Sequence, residues 1–393
     1  MKEVFIVAAK RTPQGSFGGA LSHFSAVDLG TRAVISVKEY AQLPTKSVDE
    51  LFFGQVIQAN AGQAPARQVA IQAGLGDHVP ATTVNKVCAS GMKAVMLAAQ
   101  SIQLDQNQVV VAGGMESMSQ VPHYLTKARY GYGYGSGELV DGLQRDGLVD
   151  VYQTKPMGCY ADATAAKYQL SREAQDAYAI RSYQRAAQAW EHGFFTPEVV
   201  PIAWQDKKGK SCVVAEDEEF RRVQFDKIPA LKPVFTPNGT VTAANASTIN
   251  DGAAALLLAS AEAVAEFGLK PLARIVSYAD AATAPEWFTI APIAAAQKAL
   301  DRAHLTWQEM DLFEVNEAFS AVPMAFAQHF ALDETKLNVF GGGVALGHPL
   351  GASGARILVT LTHLLHRKAA RYGLAAICNG GGGASAMIIE RMD

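Results

Sequence analysis

Apolar residues fall along the chain in two kinds of block. VFIVAAKRTP (4–13) is strand-like, and QVVVAGGMESMS (108–119) and LAAICNGGGGASAMIIE (374–390) are apolar strands punctuated by glycine. Met92, Val95, Met96, Ala99 and Ile102 instead recur at i, i+3, i+4, i+7 and i+10, which predicts a helix after Cys88 with one face in the core. SREAQDAYAIRSYQRAAQAWEHG (171–193) reads as a further helix. Continuous apolar strands joined by such helices predict an α/β fold with parallel-rich sheets covered on both faces.

The blocks also repeat. VFIVAAKRTP (4–13) resembles ARIVSYADAA (273–282), DELFFGQ (49–55) resembles DLFEVNE (311–317), and ASGMKAVMLAAQ (89–100) resembles ASGARILVTLTH (352–363). Order and spacing are both kept, so the core is expected to be a duplication. Between the copies the pattern breaks, with RYGYGYGSGE (129–138) and the charged runs DKKGK and EDEEFRR. The division expected is 1–119 with 248–270 as one core half, 120–247 as an inserted loop domain and 271–393 as the other half. Loops carried on a rigid scaffold commonly bind ligands, which assigns the insertion to the substrate carrier and to subunit contacts.

Length and composition agree with a large folded core: 393 residues exceed what one hydrophobic core usually serves, and 49% are hydrophobic against 18% charged. The net charge of −3 and pI near 6.3 leave no basic excess for phosphates, so neither a nucleic acid nor a membrane is expected as partner. Apolar runs such as GAAALLLAS (252–260) stop short of a bilayer span. The opening MKEVFIVAAKRTPQG lacks a signal-peptide or transit layout and the ending ERMD is no peroxisomal address, which reads as cytoplasmic. Cys88, Cys159, Cys212 and Cys378 stand in no metal-ligand spacing, so neither a disulfide framework nor a metal site is expected.

Four segments bring reactive side chains beside glycines: VNKVCASGMKA (84–94), NEAF (316–319), GGGVALGHPLGASGAR (341–356) and CNGGGG (378–383). Cys88 lies at a strand-to-helix turn, where free N–H groups and the positive dipole end are expected to lower its pKa. His348 sits between Gly347 and Pro349, on a loop rather than in a helix. A thiolate beside an imidazole base is the usual acyl-accepting nucleophile. The four glycines after Cys378 leave several N–H groups free to point at one spot, as an oxyanion hole requires.

In this order and at these separations, the Cys88 segment, the NEAF box, the GHP box and the Cys-x-Gly-Gly-Gly box resemble the thiolase family, as do VAAKRTPQGSFGG at the start and TVTAANASTINDGAAA (240–255). The resemblance implies a duplicated α/β core, layered α-β-α-β-α, with a loop domain inserted after the first half. It implies that Cys88 takes an acyl group, His348 accepts the thiol proton and Cys378 moves the proton at the α-carbon of a second acyl-CoA. Asn316 would support a donor at the enolate oxygen, by a water it holds, and the N–H groups of Cys88 and Gly380 would hold the oxyanion. Ser247 would lie near the pantetheine, Arg221 near the adenine and Met157 in the acyl pocket. Coenzyme A thioesters (acetyl-CoA, acetoacetyl-CoA) are then substrates and products alongside free CoA, with no permanently bound cofactor and no metal, in a homotetramer built as a dimer of dimers.

Within the family the chain looks most like the acetoacetyl-CoA thiolases, with two departures: Pro156 stands where short-chain members carry His, and Phe220 where a potassium-responsive subtype carries Tyr. A broad-range 3-ketoacyl-CoA thiolase of fatty-acid degradation is the alternative within the family. A ketoacyl synthase would have His in place of Cys378, and a non-catalytic relative would be expected to lack the nucleophile or its base.

Overall fold

The computed structural model describes residues 2–393 apart from Thr45 and Lys207. Its first half contains β1 (Val4–Arg11), α1 (Ala26–Ala41), β2 (Glu50–Gly54), α2 (Pro65–Gln72), β3 (Ala81–Val84), α3 (Ser90–Gln103) and β4 (Val109–Ser117). The region that follows contributes two helices, α4 (Met157–Lys167) and α5 (Arg172–Glu191), and two small two-stranded sheets. Then come β5 (Asn250–Ser260), β6 (Ala273–Ala282), α6 (Ala291–Ala303), β7 (Leu312–Val315), α7 (Ala321–Phe330), α8 (Leu350–Arg367), β8 (Tyr372–Asn379) and β9 (Gly383–Arg391).

The strands follow the order β7-β8-β9-β6-β1-β5-β4-β2-β3. Read outward from the β6–β1 junction, the two sides mirror each other: β1, β5, β4, β2 on one and β6, β9, β8, β7 on the other. The repeated sequence blocks occupy matching places, in β1 and β6, in β2 and β7, and in α3 and α8. At the junction only Phe5↔Arg274 and Ile6↔Ala273 pair. The halves are held chiefly by what lies between them, a core in which α3 and α8 pack against apolar side chains from strands of both sides. One outer core joins α1 and α2 to the first set of strands, and the other joins α6 and α7 to the second. Five layers result, helix and sheet alternating.

The strand directions differ from the parallel-rich expectation. Among the described residues of this sheet, parallel pairing occurs only for β2–β3, β2–β4 and β7–β8. Near-continuous apolar runs report burial on both faces, which these strands have, but burial does not fix direction. The β8–β9 connection at Gly380–Gly382 is a tight turn, with φ of 83° at Gly381 and 86° at Gly382, and such a hairpin forces its strands antiparallel.

The first strand anchors the segment between the halves through a buried ion cluster. Arg11 Nε donates to Glu198 at 2.6 Å and its Nη atoms donate to Asp217 at 2.7 and 2.9 Å, with all three side chains fully buried. Asp217 also accepts from the Gln14 amide and the Trp190 indole. Among the described residues no helix is long and apolar enough to cross a membrane.

Candidate active site

Cys88 follows β3 on the turn that leads into α3. Val87, just before it, has φ of +48°, a conformation that β-branched residues rarely adopt. The cysteine is half-buried against the cluster of Val56, Ile57, Met118, Leu143 and Leu350. Burial pushes its thiol up to about 12; the N–H groups of Gly380 and of Cys88 itself pull the other way, and the Glu116 carboxylate pushes it higher. This reverses the expectation that the helix start lowers the pKa. The helix begins only at Ser90, and desolvation of a thiolate outweighs the two amides that favour it.

The other reactive groups come from the second half. β7 and β8 run parallel, and Asn316 and Cys378 sit at their carboxyl ends, where the Asn316 N–H donates to Ala376 O at 2.9 Å. Asn316 is buried, and neither atom of its side-chain amide has a protein partner. Cys378 is fully buried; burial and then the neighbouring Cys88 sulfur push its thiol up. Gly380 follows, and a Cβ there would lie 3.4 Å from Met157 Cε and 3.6 Å from Val87 Cγ1. The nucleophile turn, the Cys378 strand end and Met157 therefore meet at one spot.

His348 is held from both sides. Its N–H donates to Asn250 Oδ1 at 2.9 Å, and its Nδ1 lies 2.6 Å from Ser353 Oγ. The Ser353 hydroxyl donates to Pro349 O at 2.8 Å, so the proton shared with the ring belongs to Nδ1. Nε2 then carries a lone pair, and it is buried without a protein partner. Burial, and after it the charge of Arg356, lower the His348 pKa to about 3. The ring is a neutral base at physiological pH.

His348 lines a largely apolar cavity of about 510 Å³, together with Met157, Ser247, Phe235 and Phe319. Met118 and Leu350, against which Cys88 packs, line it as well. Beside it lies a hollow of about 360 Å³ that shares Glu219, Arg222, Ala243 and Thr248 and adds Lys227. Arg221 lines neither. Its guanidinium pairs with Glu216 at 2.5 Å and rests on the Phe220 ring, so the arginine on the cavity wall is its neighbour Arg222. Phe220 is buried and stacked on Trp190.

Sequence reasoning passed over the residues that hold these groups in place. Glu317 accepts from Tyr178, Ser182, Asn338 and the Val344 amide at 2.7–3.1 Å, tying α5 to the segments that carry Asn316 and His348. The Ser247 N–H donates to Ala318 O at 3.0 Å, which joins the cavity wall to the same NEAF box. Asn250 anchors His348 and also donates to Gly15 O at 3.0 Å. Buried Asn and Glu inside apolar or glycine-rich runs were the available signal.

Among the described residues no group of three or more His, Cys, Asp or Glu side chains is arranged to hold a metal ion. Comparison with known proteins matches residues 4–262 to the family described as "Thiolase, N-terminal domain" and residues 269–391 to "Thiolase, C-terminal domain". A "Probable acetyl-CoA acetyltransferase" of Dictyostelium discoideum is 52% identical, over 100% of this chain and 95% of that protein. The human "Acetyl-CoA acetyltransferase, mitochondrial" is 51% identical, over 100% of this chain and 91% of its own length. A thiolase of Ascaris suum, solved in complex with coenzyme A, superposes with a TM-score of 0.94 at 46% identity, each chain covered in full. With both halves matched and the fold shared throughout, this chain belongs to the thiolase family.

Proposed function

We propose that the chain is an acetyl-CoA C-acetyltransferase, which interconverts two acetyl-CoA with acetoacetyl-CoA and free CoA through an acetyl thioester on Cys88. The observation that carries the reading is the state of His348, a residue of the cavity wall: a neutral imidazole with Nδ1 committed to Ser353 and a buried Nε2 free of any protein partner. A thiol whose pKa is about 12 needs such a base, because it is not ionised beforehand.

In the cleavage direction, Cys88 attacks the 3-keto carbon of acetoacetyl-CoA as His348 takes its proton. The N–H groups of Cys88 and Gly380 stabilise the oxyanion. The carbon–carbon bond then breaks, the acetyl group stays on Cys88, and Cys378 gives its proton to the α-carbon of the departing enolate, whose oxygen is held by donors at Asn316 and His348. Free CoA next attacks the acetyl thioester, its thiol proton returns to the enzyme, and a second acetyl-CoA leaves. Condensation is the reverse. The burial that keeps Cys378 protonated also makes its thiolate a strong base once formed, as removal of an α-proton beside a thioester demands.

The largely apolar cavity suits a pantetheine arm beside Ser247, and Arg222 with Lys227, on the adjoining hollow, suits the phosphates. The human relative is named an acetyl-CoA acetyltransferase, the Dictyostelium discoideum one a probable acetyl-CoA acetyltransferase, and the Ascaris suum thiolase holds coenzyme A, which favours the acetyl substrate. The same reading includes residues 120–247 as the CoA-carrying insertion, a homotetramer and a cytoplasmic location. Light scattering and cell fractionation test the last two.

The deciding experiment separates the cysteines. Cys88→Ser should take no acetyl label from acetyl-CoA. Cys378→Ala should take label on Cys88 near the native rate, yet lose α-proton exchange of acetyl-CoA in heavy water by roughly 10²–10⁴-fold. Loss of both activities together in Cys378→Ala would sink the two-cysteine scheme. In thiolysis, acetoacetyl-CoA should exceed a 2-methyl analogue and a long-chain 3-ketoacyl-CoA; preference for the long chain would move the protein to the broad-range class.

A further inference from the structure

Glu116, near the end of β4, is fully buried and is not one of the reacting groups. Its Oε2 accepts the N–H groups of Val56 at 3.0 Å and Gly351 at 2.8 Å, and its Oε1 accepts that of Ile57 at 3.2 Å. An isolated carboxylate is costly to bury. Here three amides solvate it, one of them in the first turn of α8, where the helix dipole favours a negative charge, although burial outweighs them and pushes the carboxyl up to about 7. The bonds join three segments: the stretch after β2, the end of β4, and the helix that begins two residues beyond His348.

The path continues to the nucleophile. Val56, whose N–H goes to Glu116, gives its carbonyl to Asn85 Nδ2 at 3.1 Å, and Asn85 Oδ1 accepts the Val87 N–H at 3.0 Å. Val87 is the residue held at φ of +48°, and such a conformation persists only where its surroundings hold it. An unbroken chain of hydrogen bonds thus runs from Gly351, through Glu116, Val56 and Asn85, to the residue before Cys88. It crosses from one half of the duplicated core to the other.

We propose that Glu116 and Asn85 are positioning residues that set the Cys88 turn against the start of α8, and so set the nucleophile against His348, in the reaction proposed above. The titratable group that acts on Cys88 is Glu116 from β4; Cys88 itself acts on Cys378 of β8, and Glu116 in turn faces Asp251 of β5. The negative charge of Glu116 opposes the Cys88 thiolate. Its removal should therefore make the thiol more acidic while it loosens the thiol's position, two effects that different assays read separately.

The test uses Glu116→Gln and Asn85→Ala in the full-length enzyme. Single-turnover acetyl labelling of Cys88 should fall about 10–100-fold in both, the scale of a misplaced reacting group. Alkylation of Cys88 by iodoacetamide, followed against pH and located by mass spectrometry, should shift its midpoint downward in Glu116→Gln and stay near wild type in Asn85→Ala. Asn85 is exposed, so its variant should fold even if Glu116→Gln does not, and its labelling rate then decides alone. Native labelling in Asn85→Ala, or an unmoved alkylation midpoint in folded Glu116→Gln, overturns the proposal. A wild-type chain that takes no acetyl label would defeat the acetyltransferase reading instead, while the alkylation arm still reports on Glu116.

Discussion

His348 is buried and neutral, and this links its chemistry to the acid stability of the fold. Its folded pKa of about 3 lies below the unfolded value of about 6.5, so the unfolded chain binds the extra proton first as pH falls. The stability it contributes is complete above about pH 6.5 and is lost as pH drops toward the folded value, by up to about 1.4 kcal/mol per pH unit. Urea unfolding between pH 7 and pH 4 should show this slope, and His348→Gln should flatten it; equal slopes in the two proteins would mean that the ring is not held neutral. Some residue-scale features were legible in the sequence and others were not. Cys88, His348 and Cys378 stood out because their side chains declare their chemistry beside glycines. The direction of the Cys88 shift did not, because desolvation belongs to packing among residues distant in the chain. Nor did the choice between Arg221 and Arg222, adjacent residues on one tight turn, of which only the second reaches the cavity wall.

At the scale of elements, the crossing of α3 and α8 carries the geometry. A Cβ on Gly91 would lie 2.8 Å from the Ala355 amide nitrogen, and one on Gly354 would lie 2.5 Å from that of Met92, so the two helices meet backbone to backbone. Glycine inside a helix weakens it by about 0.5–1 kcal/mol relative to alanine, a cost that the close approach explains. Gly354→Ala should therefore destabilise the protein by about 1–3 kcal/mol rather than stabilise it, and should slow acetyl labelling because the Cys88 turn leads into one member of the pair and the His348 loop into the other. A thermal melt and a labelling time course check both; a variant that melts higher and labels normally would show that the helices have room. The 3.6-residue period announced α3, and the repeat announced its partner. Strand direction stayed hidden, because a buried strand has the same composition whichever way its neighbour runs.

Over the whole molecule, the apolar core around α3 and α8 holds the halves together, and a buried ion cluster joins β1 to the segment between them. Arg11→Met would leave Glu198 and Asp217 buried without their cation, which should cost about 3–5 kcal/mol in urea unfolding; adding Glu198→Gln and Asp217→Asn should recover part of it. No loss in the single variant would mean that the cluster is not a joint. The duplication has one more consequence. In the aligned repeats Cys88 corresponds to Gly351 and Asn316 to Gly54, each just ahead of, or within, the shared blocks. A Cβ on Gly351 would lie 2.5 Å from Met115 O, and one on Gly54 would lie 2.7 Å from the Gly91 nitrogen. The amide of Gly351, counterpart of the one assigned to the oxyanion at Cys88, already holds the Glu116 carboxylate. The symmetry-related twin of the active site is thus plugged by the protein's own carboxyl group. A chain with two copies of the scaffold should saturate at one acetyl group, because the twin has glycine where the nucleophile would stand, and a second equivalent of label would have to sit on a cysteine outside both copies of that turn.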